Sequence, residues 1–367
     1  MRIGSARIGS VRIGSARVRS VRSAFLLAAV LAFAACSGGG GAQPKTSTTP
    51  VPPGAKASAG CAGPTAPMGR TTTRFAANGR SGSYIQELPP PYTGKTAVPL
   101  VFDLHGYAES AGLQASLSGL GTLGATQGFV TLTPQLDGPV PNWVPDVDGP
   151  DVAYIGALLD HLEQSLCLDQ RRIYVTGYSN GAMLASALMC ADADRFAAAA
   201  PVAGLRDLTG CRPSRPVPLV TFHGTMDSFV PYDGSPSRSA ARLPTPDGSG
   251  RTLGGLRNQD IPGAATTRSV LNGGSAMPDI LASWATRERC RDGAPAESTI
   301  GSDVTHLRYD CPAGSAVELY RVTTGGHAWP GSPGSAALAA AVGRTTFTIN
   351  ADAVMWDFFR AHPLPAA

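Results

Sequence analysis

The stretch "RRIYVTGYSNGAML", residues 171–184, places a serine between two glycines directly after a run of strand-forming residues. A strand that turns sharply into a helix is typical of a mostly parallel sheet with crossover helices. In a G-x-S-x-G turn the small neighbours let the backbone fold tightly, so that the Ser179 hydroxyl stands clear of the sheet. Such short matches also arise by chance in glycine-rich chains, so the rest of the sequence must decide whether Ser179 is a nucleophile.

Strands and helices alternate on both sides of this turn. Strand-like segments are 97–106, 129–135, 171–179, 197–204, 217–227 and 316–322, and helix-like segments are 110–126, 151–168, 180–196, 277–290 and 349–362. Residues 71–87 predict a hairpin that turns at Asn78-Gly79, and Asp151 is well placed to cap the helix that it begins. The alternation predicts an α/β fold, with a mostly parallel central sheet and helices on both faces, in one domain over residues 61–367.

Residues 233–276 interrupt this alternation. They contain mainly Gly, Ser, Pro, Arg and Thr without periodicity, and they are far longer than an ordinary connection. This irregular insertion is interpreted either as a lid over a site or as a disordered segment, and its composition slightly favours disorder.

The N-terminus is typical of an export signal. Residues 1–35 contain six arginines and no acidic residue, followed by the apolar run "AFLLAAVLAFAAC", which is about half the length of a membrane span. Cys36 after "FAA" resembles the lipidated cysteine of bacterial lipoproteins, whereas ordinary cleavage near Ala34 would release a soluble protein. Residues 36–60 are rich in Gly, Pro, Ser and Thr, and we expect a flexible tether there. The protein is therefore expected outside the cytoplasm, either extracellular or anchored to the bacterial cell envelope.

The net charge of +4 comes from this leader. Without its six arginines the chain has 24 basic and 26 acidic residues. That balance gives no electrostatic reason to expect a nucleic-acid partner, and the only membrane contact expected is the lipid on Cys36.

Seven cysteines in an exported chain favour disulfides. Six remain if Cys36 carries lipid, and six cysteines allow 15 connectivities that the sequence does not distinguish. Proximity along the chain favours Cys190–Cys211 and Cys290–Cys311, which leaves Cys61–Cys167. A metal site is the competing interpretation, but no CxxC or HxxxH spacing is present, so neither a metal nor another cofactor is expected.

Two further strand ends carry residues that would complete a serine hydrolase site. Asp227, in "FHGTMD", follows a strand and could orient a histidine, although a turn-forming role is the simpler alternative. Asp207 and Asp233 are weaker candidates. His327, in "TTGGHAWPG", follows two glycines after the last strand. The order serine, acid, histidine is that of the α/β hydrolases, and the other five histidines are in less suitable positions: His105, His161, His223, His306 and His362.

Together, "DLHGY", "YVTGYSNGAM", "FHGTMD" and "GGHAWPG" resemble the secreted esterases grouped with polyhydroxybutyrate depolymerases and feruloyl or acetylxylan esterases. The resemblance covers residues 70–362. It implies an α/β-hydrolase fold, hydrolysis of carboxylic esters, and a triad of Ser179, Asp227 and His327. It also supports the disulfide pairs Cys190–Cys211 and Cys290–Cys311.

The expected chemistry also requires donors for an oxyanion and a binding surface for the substrate. The backbone N–H groups of Tyr107 and Asn180 are the candidate oxyanion-hole donors. Trp143 and Trp329 could line an aromatic subsite for a feruloyl ring or a sugar, or they could be packing residues.

The leading hypothesis is an exported serine esterase that acts on small acyl or aryl esters, including feruloyl or acetyl esters of polysaccharide. A polyester hydrolase of the polyhydroxyalkanoate depolymerase type is a weaker alternative, because we expect no polymer-binding domain after Trp356. A non-catalytic envelope binding protein and a peptidase with the same triad are the alternatives of other classes. The oligomeric state is not predicted.

Overall fold

The computed structural model describes residues 54–63, 68–257, 260 and 264–366. Within these ranges ten strands form one sheet: β1 (Gly69–Ala77), β2 (Arg80–Leu88), β3 (Val98–Leu104), β4 (Val130–Leu136), β5 (Leu168–Tyr178), β6 (Ala198–Val202), β7 (Leu219–Gly224), β8 (Ala296–Ile300), β9 (Val304–Arg308) and β10 (Val317–Val322). The α-helices of the same ranges are α1 (Ala111–Ser118), α2 (Leu120–Gln127), α3 (Pro150–Ser165), α4 (Asn180–Ala191), α5 (Ala264–Asn272), α6 (Met277–Arg287), α7 (Pro333–Ala337), α8 (Ala339–Val342) and α9 (Ala351–Ala361).

The strands lie in the order β1-β2-β4-β3-β5-β6-β7-β10-β9-β8. The six central strands, from β4 to β10, pair in parallel, whereas the two strands at each end pair antiparallel. This is the topology of an α/β hydrolase, so the predicted fold class is confirmed. Because the central strands are parallel, their carboxyl ends meet at one edge, where ligands bind in such sheets.

Apolar side chains bury both faces of the sheet. On one face α3, α4 and α6 pack through residues such as Leu158, Leu188 and Trp284, all fully buried. On the other face α9 packs through Phe359, whose ring stacks on Tyr174 of β5 with centroids 4.6 Å apart. Helices on both faces explain why the central strands read as nearly continuous apolar runs.

The hairpin of β1 and β2 forms as predicted, with positive φ at both Asn78 and Gly79. The helix predicted over 110–126 is instead two helices, because Gly119 adopts φ 67° and ends α1. The hairpin of β8 and β9 was not predicted, because β8 is mostly exposed and its sequence shows no regular alternation of apolar and polar residues. His306, one of the histidines set aside in the sequence, lies inside β9.

The prediction that Asp151 caps its helix is wrong. Gly149 is the N-cap of α3, and Asp151 lies in the first turn. Its buried carboxylate accepts a hydrogen bond from Val144 N at 2.7 Å and pairs with Arg80 at 2.7 Å. Asp151 therefore holds the loop after β4 to the hairpin rather than satisfying the helix terminus.

Residues 54–60, which the sequence assigned to the tether, lie against the start of β5. Ser58 N donates to Leu168 O at 2.9 Å, and its hydroxyl donates to Leu166 O at 2.6 Å. A Cβ at Gly60 would lie 2.2 Å from Leu166 O, so only glycine permits this approach. The disulfide between Cys61 and Cys167 holds the same segment in place. The hydrogen bonds of Ser58 and the Cys61–Cys167 disulfide thus attach residues 54–60 to the folded domain.

Two more disulfides join Cys190 to Cys211 and Cys290 to Cys311, the pairs that proximity along the chain favoured. Three disulfides suit an oxidising, extracytoplasmic environment. The predicted export signal (1–35), Cys36 and the tether up to residue 53 lie outside the described residues. Among those that are described, no helix is long and apolar enough to cross a membrane.

Candidate active site

The Ser179 turn is as sharp as the glycine spacing predicted. Ser179 has φ 54° and ψ −113°, a conformation that non-glycine residues rarely adopt. A Cβ at Gly177 would lie 2.5 Å from Gly181 C, and one at Gly181 would lie 2.1 Å from Leu104 O. Close contact between β3, β5 and α4 therefore excludes any side chain at both glycines and holds Ser179 at the edge of the sheet.

Asp227 and His327 meet at this edge from the loops after β7 and β10. His327 Nδ1 lies 2.7 Å from Asp227 Oδ2, and both side chains are buried. Asp227 Oδ1 accepts hydrogen bonds from the backbone N–H groups of Phe229, at 2.9 Å, and Val230, at 2.8 Å. Since Asp227 can only accept when ionised, the pair assigns the proton to His327 Nδ1 and leaves Nε2 as the basic atom.

The charge on Asp227 is stabilised despite its burial. Burial alone would raise the pKa of Asp227, but the nearby imidazole of His327, its hydrogen bond and the backbone donor of Val230 outweigh it, so the net pKa is lowered. A second imidazole, His223, lies 3.4 Å from the same carboxylate and bonds Val230 O through Nε2 at 2.8 Å. Burial lowers the pKa of His223, which keeps this ring neutral. His223 thus braces the Asp227 loop.

His327 is held between two aromatic rings beside the serine. The Tyr178 ring lies 4.8 Å from the imidazole centroid and the Phe229 ring 5.1 Å from it. The Tyr178 hydroxyl also donates to the backbone carbonyl of His327. Tyr178 immediately precedes Ser179, so the strand that carries the serine also fixes the histidine loop. The described residues form no hydrogen bond with the Ser179 hydroxyl; such catalytic contacts often shorten only when substrate binds.

Two backbone N–H groups are available beside Ser179. Neither Tyr107 N nor Asn180 N donates to another described residue, and both residues line the same cavity as Ser179. Asn180 is the first residue of α4, where backbone N–H groups lack intrahelical acceptors. The Tyr107 loop is fixed by Glu109, whose carboxylate accepts from Gly106 N at 2.8 Å. Sequence reasoning missed Glu109; burial raises its pKa.

For Trp143 and Trp329 the sequence left an aromatic subsite and a packing role both open, and in the structure the two side chains occupy packing positions. Trp143 is 2% exposed and its Nε1 donates to His105 O at 3.0 Å. The Asn180 side chain bonds both the N–H and the carbonyl of Trp143, which fixes the start of α4. Trp329 is 1% exposed and its Nε1 donates to Asp352 at 2.8 Å. Neither ring lines the cavity next to Ser179.

Half of the residues that line that cavity come from the insertion. The cavity has about 420 Å³ of empty space, part of it open to solvent, and is lined by Tyr107, Ser179, Asn180, Met183, Phe229, Val230, Ala240, Leu243, Leu253, Thr267, Val270 and Leu271. Six of these residues belong to segment 233–276, whose described residues include α5 and two short 3₁₀ helices, Ala240–Arg242 and Leu253–Gly255. The described part of the insertion is therefore packed over the site, contrary to the preference for disorder. Its apolar residues are too sparse along the chain to show periodicity, so sequence reasoning could not find this wall.

No group of three or more His, Cys, Asp or Glu side chains among the described residues could hold a metal ion. What the site offers is a serine on a strained turn, a carboxylate–imidazole pair and two unused N–H donors. Those groups are suited to nucleophilic attack on a carbonyl carbon with stabilisation of the oxyanion.

Comparisons with known proteins agree with this chemistry. The Prolyl oligopeptidase family matches residues 150–214. "Feruloyl esterase B" of Piromyces equi is 28% identical over 255 residues, which are 66% of this chain and 42% of that protein. "Bifunctional acetylxylan esterase/xylanase XynS20E" of Neocallimastix patriciarum is 30% identical over 135 residues, 36% of this chain and 20% of that protein. "Putative esterase NocK" of Nocardia uniformis subsp. tsuyamanensis is 29% identical over 330 residues, 84% of this chain and 90% of that protein.

The chain spans less than half the length of the first two relatives and nine-tenths of the third. With the order of the strands and the sharp turn at Ser179, these similarities agree with the resemblance found in the sequence motifs. The chain has the α/β-hydrolase fold, and its sequence is similar to those of feruloyl and acetylxylan esterases.

Proposed function

We propose that this protein is a serine carboxylic-ester hydrolase that acts on small acyl or aryl esters, including feruloyl or acetyl esters of polysaccharide. The observation that carries the proposal is the buried Asp227–His327 pair, with a 2.7 Å hydrogen bond, beside the strained Ser179 turn that opens into a cavity. The names of the relatives support the same reaction class.

In the proposed mechanism Ser179 Oγ attacks the ester carbonyl carbon while His327 Nε2 takes the hydroxyl proton. Asp227 stabilises the imidazolium through Nδ1, and the N–H groups of Tyr107 and Asn180 bind the oxyanion. His327 then gives its proton to the departing alkoxide, which leaves as the alcohol. Water attacks the acyl-Ser179 ester in the second half, its proton passing through His327, and the acid is released.

A fluorophosphonate probe should label the wild-type protein and fail to label Ser179→Ala, because the probe reacts with activated serines. Hydrolysis of p-nitrophenyl acetate should disappear in Ser179→Ala and His327→Ala. Labelling that persists in Ser179→Ala would refute the assignment. A folded protein without any turnover would favour the non-catalytic alternative.

The match to the Prolyl oligopeptidase family favours a peptidase as the second candidate. The matched segment contains α3, β5, the Ser179 turn, α4 and β6, which both reaction classes use. Parallel assays on an ester and its matched anilide separate the two candidates: an esterase should hydrolyse the ester far faster. The polyester alternative predicts release of soluble hydroxyacids from a polyhydroxybutyrate film.

We also propose that the protein acts outside the cytoplasm, anchored to the bacterial cell envelope through a lipid on Cys36. The three disulfides support an extracytoplasmic location. Membrane association of the full chain should be lost in Cys36→Ser; association that persists in this variant would overturn the anchoring site.

A further inference from the structure

The described residues of the insertion 233–276 bring its two ends together, and six of them line the same cavity as Ser179. Gly274 N donates to Gly234 O at 2.9 Å, and Met277 N donates to Tyr232 O at 2.8 Å, so the two ends of the segment lie side by side. A loop closed at its base can be long without loosening the domain. The insertion therefore behaves as an added structural unit at the rim of the sheet.

Hydrogen bonds hold this unit in one position over the site. Ser237 N bonds Val270 O at 2.9 Å, and the Ser237 hydroxyl bonds Ser228 O, just after Asp227, at 2.9 Å. On the opposite side, the Tyr107 hydroxyl donates to Pro244 O at 2.7 Å. The insertion is thus fastened both to the loop of the candidate acid and to the loop of a candidate oxyanion donor.

The buried surface of the unit is aliphatic. Leu253, Val270 and Leu271 pack with Ala240 of the insertion against Met183 of α4, and these five residues are each at most 8% exposed. This cluster is separate from the two clusters that bury the faces of the sheet. Its residues face a cavity that the Ser179 side also lines, so the cluster does more than stabilise the insertion.

Among the described residues that line this cavity, none is an acid, a lysine, an arginine or a histidine. Its polar groups lie near the reacting centre, at Tyr107, Ser179 and Asn180, with Thr267 on the wall. A charged acyl group would lose its hydration there without a partner, whereas an apolar chain would gain from burial. An acetyl group carries a single methyl and would contact few of the six insertion residues that line the cavity.

We infer that the insertion forms the acyl-binding wall, and that it selects neutral apolar acyl groups longer than acetyl, with Ala240 and Leu253 setting the acyl length. This inference rests on the proposed ester hydrolysis and specifies its acyl side. Each methylene buried in the transition state should raise kcat/KM about fourfold, the change that corresponds to about 0.8 kcal/mol. The rise should stop at the length that fills the cavity.

The test compares kcat/KM for p-nitrophenyl acetate, butanoate, hexanoate and octanoate. In the wild type the values should rise with length up to a break. Ala240→Leu narrows the cavity and should lower the hexanoate-to-acetate ratio at least tenfold, while Leu253→Ala should move the break to longer chains. General destabilisation would lower kcat/KM for all four esters together. It would not shorten the preferred acyl length in one variant and lengthen it in the other.

Leu307→Ala is the matched control, because Leu307 is 7% exposed in β9 and packs in a different cluster. It should leave the ratio unchanged. Thermal unfolding and fluorophosphonate labelling of Ser179 verify that each variant is folded and reactive. Equal ratios in the wild type, Ala240→Leu and Leu253→Ala would overturn the inference while leaving the esterase intact. Failure to hydrolyse any of the four esters would instead overturn the proposed function.

Discussion

At the scale of single residues, the site depends on a carboxylate that is kept charged inside the protein. Asp227 combines two backbone donors with the His327 imidazole, and these partners lower its pKa although its side chain is fully buried. An exposed carboxylate would be screened by solvent and would orient the imidazole less strongly. Burial with complete hydrogen bonding is what separates Asp227 from the other candidate acids.

Asp227→Asn tests this role. An amide in this position can donate to His327 Nδ1, which favours the tautomer with the proton on Nε2 and removes the base. We expect kcat to fall about 10⁴-fold, as in other serine hydrolase triads. The measurement is steady-state hydrolysis of p-nitrophenyl butanoate, with thermal unfolding to verify the fold.

Asp233→Asn is the paired control, because Asp233 is exposed and was the weaker candidate in the sequence. Its kcat should equal that of the wild type. A larger loss in Asp233→Asn than in Asp227→Asn would reassign the acid.

At the scale of elements, the junction of β3, β5 and α4 places the nucleophile. Three chain segments approach so closely that two positions of the motif must lack a side chain. The strain at Ser179 is maintained because the surrounding strands and helix are themselves well packed. The two glycines of the motif, Gly177 and Gly181, are therefore required by packing as well as by the position of the nucleophile.

Gly181→Ala should destabilise the whole domain, because its Cβ would lie 2.1 Å from Leu104 O. Relief of that overlap must move β3 or α4, and we expect a loss of about 3 kcal/mol or more in the free energy of unfolding. Urea unfolding followed by tryptophan fluorescence measures it.

Gly112→Ala provides the comparison within a helix. A Cβ there meets only Ser110 Oγ, at 3.8 Å, and alanine favours helix by about 1 kcal/mol over glycine. This variant should be as stable as the wild type or more stable. Equal stability of the two variants would contradict the tight junction.

For the whole molecule, buried carboxyl groups outside the site govern how stability changes with pH. Burial raises the pKa values of Asp103, Glu288 and Asp352 to about 7 each. Between about pH 4 and pH 7 the folded state holds protons on these groups that the unfolded state has released. Stability therefore falls as the pH rises through this range. Asp227 has the opposite effect. Its lowered pKa means that the ionised form stabilises the folded state, and this contribution is lost only as the pH falls below about 4.

The melting temperature should consequently be higher at pH 5 than at pH 8. In the wild type, Val217 N donates to Glu288 Oε1 at 2.5 Å. Glu288→Gln should reduce the difference in melting temperature, because the amide oxygen can still accept this hydrogen bond but the side chain no longer ionises. The raised pKa of Glu288 corresponds to about 3 kcal/mol of the pH-dependent change. Calorimetric scans at several pH values measure it, and an unchanged difference in Glu288→Gln would exclude Glu288 as a contributor.

The sequence by itself determined the fold class, the parallel centre of the sheet and the order of serine, acid and histidine. Those features are local, since apolar runs, glycine spacing and strand ends are all written within short stretches of chain. It also identified the tight turn at Ser179, because only glycine permits such an approach of backbones.

Only the tertiary structure decided which residues line the cavity beside Ser179 and which merely pack. Trp143 and Trp329 are of the residue type that forms aromatic subsites, yet both are buried and neither lines the cavity. The cavity wall comes from Ala240, Leu253 and Leu271, which are scattered through an irregular segment without a repeat. Their common face exists only after the insertion closes on its own ends, so no local pattern in the chain could reveal it.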